Sequence, residues 1–341
     1  MAAGRVTLSD IAKEANVSVT IVSKVINGTW KGKVSDPKRK LILELVRKYG
    51  YMPLSSARSL VTRRNYQIAF LLSDKTSMLF ENPVYVQMLQ GTMQESSARG
   101  YNCQVQFCDC SNMEHFSIPE NLLRHGVDGC ILSGAIDYDV LQKITTVQLP
   151  FVMLGGESVR DRIPVITRTS LPEYEEFLRY CYERGHRRIM ICGYSKNGWE
   201  KYTLLAKRFP SLHLELYNGH TEDKCREAAE FILQFPAEKR PTMLAGDGIF
   251  CNGVLNLLRE QGILCPRDIS CIATSNDLFT RLHTPQLTTM SADFVAHGVL
   301  GTRLLIDMIE QDLPEEEAIR RAWDAGIKSI IEEHDSVRIL V

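Results

Sequence analysis

Length and composition exclude several classes of protein, because 341 residues, 44% of them hydrophobic, can form a small head and one or two domains with full cores. No apolar run approaches the roughly 18 residues of a membrane-spanning helix, and the start of the chain holds no secretory signal. The ten cysteines are scattered through apolar stretches without zinc-ligand spacing, which favours reduced, mostly buried thiols in the cytoplasm over disulfides or a metal site.

Charge is divided unevenly along the chain. Residues 1–64 hold 13 Lys and Arg against 4 Asp and Glu, a net charge of +9. The remaining residues hold 27 against 37, a net charge of −10. A basic head on an acidic body indicates that the head meets a polyanion, which the body repels. Chance clustering of charge on a solvated surface is the alternative.

The head begins with two short helices joined by a tight turn. Thr7 and Asp10 have the spacing of a capping box at the start of the first helix. The apolar face of that helix consists of Ile11, Ala12 and Ala15. Ser18 can cap a second helix, from residue 19 to about residue 27, that ends at Gly28. Such a pair has the form of a helix-turn-helix unit.

A third helix is expected from Ser35-Asp36-Pro37 to Gly50, since proline suits a first helical turn and glycine ends a helix. Its expected apolar contacts are Leu41, Leu43, Leu45 and Val46. A generic three-helix bundle with a basic surface remains the alternative at this point.

The second helix of a helix-turn-helix unit enters the major groove of DNA. Val22 and Val25 should pack on the first helix, which leaves Val19, Thr20 and Lys24 facing outward. Val19 can touch a thymine methyl, Thr20 can donate or accept a hydrogen bond, and Lys24 can reach guanine acceptors. The residues assigned to phosphates are Thr7, Ser18, Lys31, Lys33, Lys38 and Arg39.

Four stretches of the head together carry a family resemblance. They are Val6–Ser18, Val22–Gly28, Gly50–Pro53 and Ala57–Leu60. In this order they resemble the head of the LacI/GalR repressor family. The resemblance implies a hinge helix at about 55–61, from which Leu60, with Ala57, enters the minor groove and unstacks a base step. Packing of Leu60 on the body, as an ordinary linker residue, is the alternative.

The head departs from the family pattern at two places. Family members usually carry Arg where this chain has Lys24, and an ammonium group is a point donor that reads guanine less strictly than a guanidinium fork. The turn around Trp30 is also longer than usual. Trp30 either stacks near the sugar-phosphate backbone or covers the core of the bundle, and the second reading is favoured.

The body alternates short apolar runs with helical patterns, which is typical of parallel α/β sheets with ligand crevices at the carboxyl ends of the strands. The expected strands are 68–72, 128–132, 151–154, 188–192 and 242–245, and 103–110 alternates like a strand. The expected helices are 84–98, 172–184, 224–234 and 249–261.

Further stretches of the body also resemble the LacI/GalR family. They are Asn82–Tyr85, Val127–Gly129, Glu183–Ile189, Leu258–Gly262, Pro266–Ser270 and Pro285–Thr289. The resemblance implies an α/β protein with a three-helix head and hinge helix in residues 1–64. Residues 65–341 would form a two-lobed body of the type I periplasmic-binding-protein fold, for effector binding and dimerisation. Its chain crosses between lobes three times, with one lobe at about 65–165 and 293–322 and the other at about 166–292 and 323–341.

The interlobe effector pocket is where the resemblance weakens. Tyr85 matches an aromatic residue that stacks on the ligand, although packing is an equal alternative. Asp247 matches an acidic position at a helix start, where it either accepts ligand hydroxyls or interacts with the helix dipole. Ser275 stands where a carboxylate is expected, and Arg168-Thr169 replace an Asp-Asn pair.

The segment from Tyr194 to Tyr202 lacks the arginine and glycine pattern with which the family clamps its ligand. A short helix is expected after it. The interpretation is a remodelled pocket, in which Trp199 or Lys201 contacts the ligand, or in which sugar sensing is weakened or lost.

The sequence holds no convincing catalytic arrangement, and no cofactor is expected. The expected function is a cytoplasmic transcription repressor that binds a pseudo-palindromic DNA operator as a homodimer, under the control of a small ligand. A regulator controlled by a partner protein, or one with little ligand response, is the first alternative. A soluble solute-binding protein is disfavoured, since the chain has a basic head and no export signal.

Overall fold

The structure, a computed structural model, describes residues 6–26, 28, 30, 34–51, 62, 64–73, 82–114, 116–134, 136–155, 162–167, 170–193, 196–219 and 222–340. The chain divides into two compact units, Met1–Asn65 and Tyr66–Val341, called here the head and the body. Within this described part, no helix combines the length and the apolar character needed to cross a membrane.

The head contains the three helices that the sequence predicts. They are α1 (Leu8–Glu14), α2 (Val19–Ile26) and α3 (Asp36–Lys48). Thr7 and Asp10 form the predicted capping box, because the Thr7 hydroxyl accepts from the Asp10 amide and the Asp10 carboxylate accepts from the Thr7 amide at 2.9 Å. Gly28 and Gly50 follow α2 and α3 with φ of +73° and +55°, the left-handed conformation of a helix stop.

The head core is formed by the apolar faces of all three helices. Ile11, Val22 and Ile42 are completely buried in it, as the central residues of α1, α2 and α3. One expectation was wrong: Leu41 is 40% exposed, and its neighbour Ile42 takes the inward position. The inward face of α3 runs through Ile42 and Leu45, three residues apart, and Leu41 lies outside that stripe.

The first half of the body is a five-stranded sheet whose order is β2-β1-β3-β4-β5, with every pair parallel. The strands are β1 (Gln67–Ser73), β2 (Asn102–Phe107), β3 (Gly129–Gly134), β4 (Phe151–Leu154) and β5 (Val165–Ile166). The helices are α4 (Pro83–Ala98), α5 (Glu120–Leu123) and α6 (Tyr138–Ile144). Since the strands are parallel, their carboxyl ends lie at one edge of the sheet.

The second half is a six-stranded sheet of order β11-β10-β9-β8-β6-β7, parallel except for the pair of β10 and β11. Its strands are β6 (Arg188–Cys192), β7 (His213–Tyr217), β8 (Met243–Gly246), β9 (Ser270–Ala273), β10 (Thr288–Ser291) and β11 (Ile330–Glu332). Its helices are α7 (Ser170–Glu183), α8 (Lys196–Ala206), α9 (Glu222–Gln234), α10 (Gly248–Glu260) and α11 (Leu278–Leu282), with a 3-10 turn at Ala237–Lys239.

Two further helices return the chain to the first sheet. They are α12 (Phe294–Gln311) and α13 (Glu315–Asp324). Leu305 and Ile306 of α12 are fully buried in the same core cluster as Phe70 of β1 and Ile131 of β3. The chain then goes back to the second sheet, where β11 pairs with β10. The two sheets are therefore linked by three crossings of the chain.

The sequence located the ends of most body elements within a few residues, but it misplaced α8. The helix was expected after Tyr202, whereas it begins at Lys196. Tyr202 and Leu205 are 3% and 1% exposed and three residues apart, so a single buried stripe runs through the whole segment. All ten cysteines are free thiols, seven of them buried and three half-buried, as expected.

Candidate nucleic-acid interface and ligand cleft

The outward face of α2 carries the three residues predicted to read bases. Val22 and Val25 are 0% and 4% exposed and hold the opposite face of the helix against the head core. Val19 is 44% exposed, and Thr20 is exposed as well. Lys24 is half-buried on the last turn. The packing of two valines thus fixes which side chains α2 presents to solvent.

The two hydroxyl groups assigned to phosphates already have partners inside the head. The Thr7 hydroxyl donates to Asp10 Oδ2 at 2.7 Å. Ser18 Oγ accepts from the Ile21 amide at 3.4 Å, a long bond at the start of α2. Hydrogen bonds from the side chain and then the backbone of Thr7 lower the pKa of the Asp10 carboxyl, which keeps the capping carboxylate charged.

The basic side chains of α3 also have partners in the head. Lys38 Nζ donates to the carbonyl oxygen of Asn16 at 3.0 Å, in the turn between α1 and α2. Arg39 Nε lies 3.6 Å from Asp36 Oδ1, and its guanidinium carbon is 4.7 Å from the centre of the Trp30 ring. Trp30 is half-buried against the head core, as the favoured reading expected. The predicted contacts of Lys31, Lys33, Ala57 and Leu60, and the predicted hinge helix, lie outside the described residues.

The Glu14 carboxylate at the end of α1 joins this helix to the end of α3, and α2 packs against both helices. Glu14 accepts hydrogen bonds from the Tyr49 hydroxyl and, at 2.9 Å, from Lys48 Nζ. These bonds, the one from Tyr49 first, lower the pKa of the Glu14 carboxyl.

In the body, adjacent strands of the second sheet bring several predicted effector residues to one edge. β8 lies between β6 and β9, and Gly246 pairs with Ala273 at the carboxyl end. Asp247 follows β8 directly, Ser275 lies two residues after β9, and Trp199 lies in the first turn of α8, which follows β6. This edge is where parallel α/β sheets bind ligands.

Asp247 acts as the N-cap of α10. Its Oδ1 accepts from the amides of Ile249 and Phe250 at 3.0 and 3.1 Å. The structure therefore shows the helix-start role that the sequence left open, and a contact of the carboxylate with a ligand stays a prediction.

Ser275 is 3% exposed, and its hydroxyl is used within the protein. Its Oγ accepts from the Gly248 amide at 3.0 Å and donates to Asp277 Oδ2 at 2.7 Å. Asp277 is the residue that the sequence reasoning missed: it is 2% exposed and forms a capping box with Thr280 at the start of α11. The spacing of Asp277 and Thr280 was the available signal.

The other three predicted effector residues, Trp199, Lys201 and Tyr85, lie against different parts of the body. Trp199 is half-buried, and its indole Nε1 is shielded from solvent without an acceptor among the described residues. Lys201 Nζ lies 5.6 Å from the centre of the Tyr174 ring of α7. Tyr85, in the first turn of α4, is half-buried against the core cluster of the first sheet. The structure thus assigns packing contacts to Tyr85 and Lys201.

A chain of hydrogen bonds links the two halves of the body beside these residues. Gln87 Nε2 of α4 donates to the carbonyl oxygen of Asn276 at 3.2 Å. Asn276 Nδ2 in turn donates to Glu332 Oε2 of β11 at 2.7 Å. Tyr85 lies two residues before Gln87, and Ser275 lies one residue before Asn276, so the start of α4 and the loop after β9 approach each other here.

Across the described ranges, no group of three or more His, Cys, Asp or Glu side chains is positioned to hold a metal ion.

Two family models match the chain. Residues 7–54 match the model of bacterial regulatory proteins of the lacI family, and residues 178–322 match that of a periplasmic binding protein-like domain. The chain is thus similar to lacI-family regulators both in its head and in its body. It is accordingly a DNA-binding transcription regulator, with the expected helix-turn-helix head and two-sheet α/β body.

Regulators from other organisms are similar to this chain over nearly their full length. Catabolite control protein A of Priestia megaterium is 24% identical over 326 residues, covering 92% of this chain and 96% of the relative. The probable HTH-type transcriptional repressor ExuR of Bacillus subtilis is 26% identical over 346 residues, covering 98% and 99%.

Solved structures share the fold of this chain. A Lac repressor dimer bound to operator and the anti-inducer ONPF has a TM-score of 0.79 at 16% identity, covering 98% of this chain and 99% of that one. A complex of the transcriptional regulator CelR with cellobiose has a TM-score of 0.66 at 21% identity, covering 97% and 100%.

Proposed function

We propose that this regulator is a repressor that acts in the cytoplasm and binds a pseudo-palindromic operator as a homodimer. The observation that carries the proposal is the outward face of α2, where Val19, Thr20 and Lys24 stand opposite the buried Val22 and Val25. In a helix-turn-helix head this face meets base edges in the major groove. The relatives are regulators rather than enzymes, and we propose no catalytic activity.

Phosphate contacts would orient the head without reading sequence. Thr7 and Ser18 lie at the starts of α1 and α2, and Lys38 and Arg39 lie on α3. Lys38 donates to a neutral carbonyl oxygen, that of Asn16. We assign Lys31 and Lys33 to phosphates too, and Ala57 and Leu60 to the minor groove, on sequence grounds alone.

A second copy of the chain is the proposed dimer partner, because two heads on one dimer match two half-sites. The short helix α11 supports an apolar contact between bodies. Its side chains Leu278, Phe279 and Leu282 are 57%, 43% and 71% exposed. A cluster of large exposed apolar side chains on one short helix is typical of a protein-protein contact.

Selection of bound DNA from a random pool at physiological salt should recover a palindrome with a flexible central step. Against the recovered operator, Lys24→Ala should lose about tenfold or more in affinity and accept other bases at one position of each half-site. Lys38→Gln, as the matched phosphate variant, should weaken binding to all sequences alike and lower the salt slope by about one per contact. Recovery of no enriched sequence would break the proposal.

For the effector, we propose a small sugar-like or related polar ligand in the cleft between the two sheets. The shielded indole Nε1 of Trp199 supports this, because a buried donor without an acceptor is costly and a ligand oxygen would satisfy it.

Asp247 and Tyr85 flank the same cleft as candidate contacts. Lys201 would reach the ligand only by leaving the Tyr174 ring. We place Ser275 behind the cleft surface, where its hydroxyl holds Gly248 and Asp277.

Calorimetric titration with a panel of sugars and nucleosides tests this site. Trp199→Phe keeps an aromatic ring and removes the N–H, so it should lower the affinity for the ligand about tenfold. Trp199→Ala should lower this affinity further, since the stacking surface is lost as well. Tight binding of an ordinary hexose, unchanged in Trp199→Ala and Lys201→Ala, would contradict the remodelled pocket.

Control by a partner protein, with little ligand response, is the second candidate. It is favoured by the burial of Ser275 at the position where the family resemblance implies a ligand-binding carboxylate. If no member of the panel binds, capture of the full chain on operator DNA from cell extract should retain a second protein that changes its affinity for the operator.

A further inference from the structure

A depression of about 670 Å³ lies in the first-sheet half of the body, and the proposed ligand cleft does not include it. It runs along one face of α6, through Tyr138, Leu141, Gln142 and Thr145. Its floor reaches Phe151 and Ile163, at or just before the amino ends of β4 and β5. The proposed cleft lies at the carboxyl ends of the strands, so the two places are distinct. Small-molecule sites have volumes of roughly 300–1,000 Å³.

The floor of this depression is apolar, and its rim is polar. Phe151, Ile163 and Met308 on the floor are 5%, 2% and 8% exposed. Arg162 and Glu315 on the rim are exposed. In a small-molecule site, apolar side chains take the body of the ligand and a few polar groups orient it, roles that this floor and rim can fill.

The rim carries two opposite charges that form no ion pair with another described residue. The guanidinium carbon of Arg162 lies 4.9 Å from the centre of the Tyr138 ring, and no carboxylate among the described residues is within ion-pair distance of it. Glu315, at the start of α13, likewise has no cationic partner there. Tyr138 is itself oriented by Gln142 Nε2, which donates to its hydroxyl at 3.1 Å.

We propose that this depression is a second small-molecule site that takes a zwitterion with an apolar or aromatic body. Arg162 binds the carboxylate of the ligand, since a guanidinium offers a fork of donors that matches a carboxylate. Glu315 accepts from its ammonium group. The apolar body lies between Tyr138 and the floor. The site would therefore favour molecules of the amino-acid class over simple acids or simple amines.

Three probes of the same shape test the proposal on the full-length protein by calorimetry or ligand-observed NMR: L-tryptophan, indole-3-propionate and tryptamine. L-Tryptophan should bind about tenfold more tightly than either singly charged probe, because each charge adds one charge-assisted hydrogen-bonded contact. Arg162→Met should abolish its advantage over tryptamine. Glu315→Gln should abolish its advantage over indole-3-propionate.

The neighbouring Glu316 provides a matched control, because it is exposed on the same helix turn but does not line the depression. Glu316→Gln should leave all three affinities unchanged. The proposal is overturned if L-tryptophan does not bind at millimolar concentration or binds no better than the other probes. Binding that both Arg162→Met and Glu315→Gln leave unchanged would place the ligand elsewhere and overturn it equally.

Discussion

Gly298→Ala should destabilise the body by about 3 kcal/mol or more, an overpacking cost at the upper end of the usual range. A Cβ atom on Gly298 would lie 2.0 Å from the carbonyl oxygen of Met88 and 2.7 Å from the Thr92 amide nitrogen. The contact is reciprocal, because a Cβ on Gly91 would lie 2.0 Å from the carbonyl oxygen of Val295. Both clashes are with backbone, so α4 and α12 would have to separate. Urea unfolding, followed by a probe in the body, measures the loss.

Gly301→Ala is the matched control on the same helix. Both substitutions gain about 1 kcal/mol of helix propensity. At Gly301, however, the new Cβ would meet the side-chain atom Leu154 Cδ2 at 2.5 Å, and a leucine methyl can shift where a backbone carbonyl cannot. Gly301→Ala should therefore cost clearly less than Gly298→Ala. Equal costs, or a stabilised Gly298→Ala protein, would show that α4 and α12 are not held in this close contact.

The body should also lose stability as the pH falls from about 6.5 towards 4, because His186 is buried in its neutral form. His186 is 0% exposed; its Nε2 donates to the carbonyl oxygen of Arg338 at 3.1 Å, and its Nδ1 lies 3.0 Å from Thr242 Oγ1. Burial lowers the pKa of His186 from 6.5 to about 4, against a smaller opposing effect of the Arg338 hydrogen bond. The positive charges of Arg338, Arg184 and Arg187 contribute to the same lowering of the pKa.

The sign of the effect follows from where the proton binds first. Between pH 6.5 and about 4 the unfolded chain takes up a proton at this histidine, whereas the folded chain does not. The stabilisation by neutral His186 is therefore complete above pH 6.5 and is lost as the pH falls through this window. The loss is roughly 1.4 kcal/mol per pH unit across it.

Chemical unfolding of the wild type and His186→Gln at several pH values isolates this contribution from that of the carboxylates, which titrate in both proteins. His186→Gln should be about 2 kcal/mol less stable at pH 7, since the Thr242 hydroxyl and the Arg338 carbonyl oxygen lose their imidazole partner. It should also show a shallower decline towards pH 4, so the two curves converge. The exposed His213 is the control, and His213→Gln should keep the wild-type slope. Parallel curves for wild type and His186→Gln would refute the assignment.

The sequence alone was sufficient for features that depend on a few neighbouring residues. Thr7 and Asp10 specify a capping box by their spacing, and both form it. The positions of Val22 and Val25 on a helical period determine that Val19 and Thr20 face outward. The same local rules located most strands of the body, because buried parallel strands are short apolar runs between turns.

Other features depend on which distant segments pack together, and no local pattern encodes them. The Ser275 hydroxyl lies between Gly248 and Asp277, which could be known only once α10 and α11 were side by side. The burial of Ile42 rather than Leu41 in the head core likewise depends on which side of α3 packs against α1 and α2.

What the sequence by itself determined is the class of protein: a basic helix-turn-helix head with an outward reading face, followed by an α/β body. The tertiary structure decided the surroundings of the effector residues and brought together Arg162, Tyr138 and Glu315, which are far apart in the chain. The physical reason is the distance along the chain over which each kind of interaction acts. Helix caps and periodic apolar faces act over one or two turns, whereas a binding surface is formed by side chains from elements that meet only in the folded body.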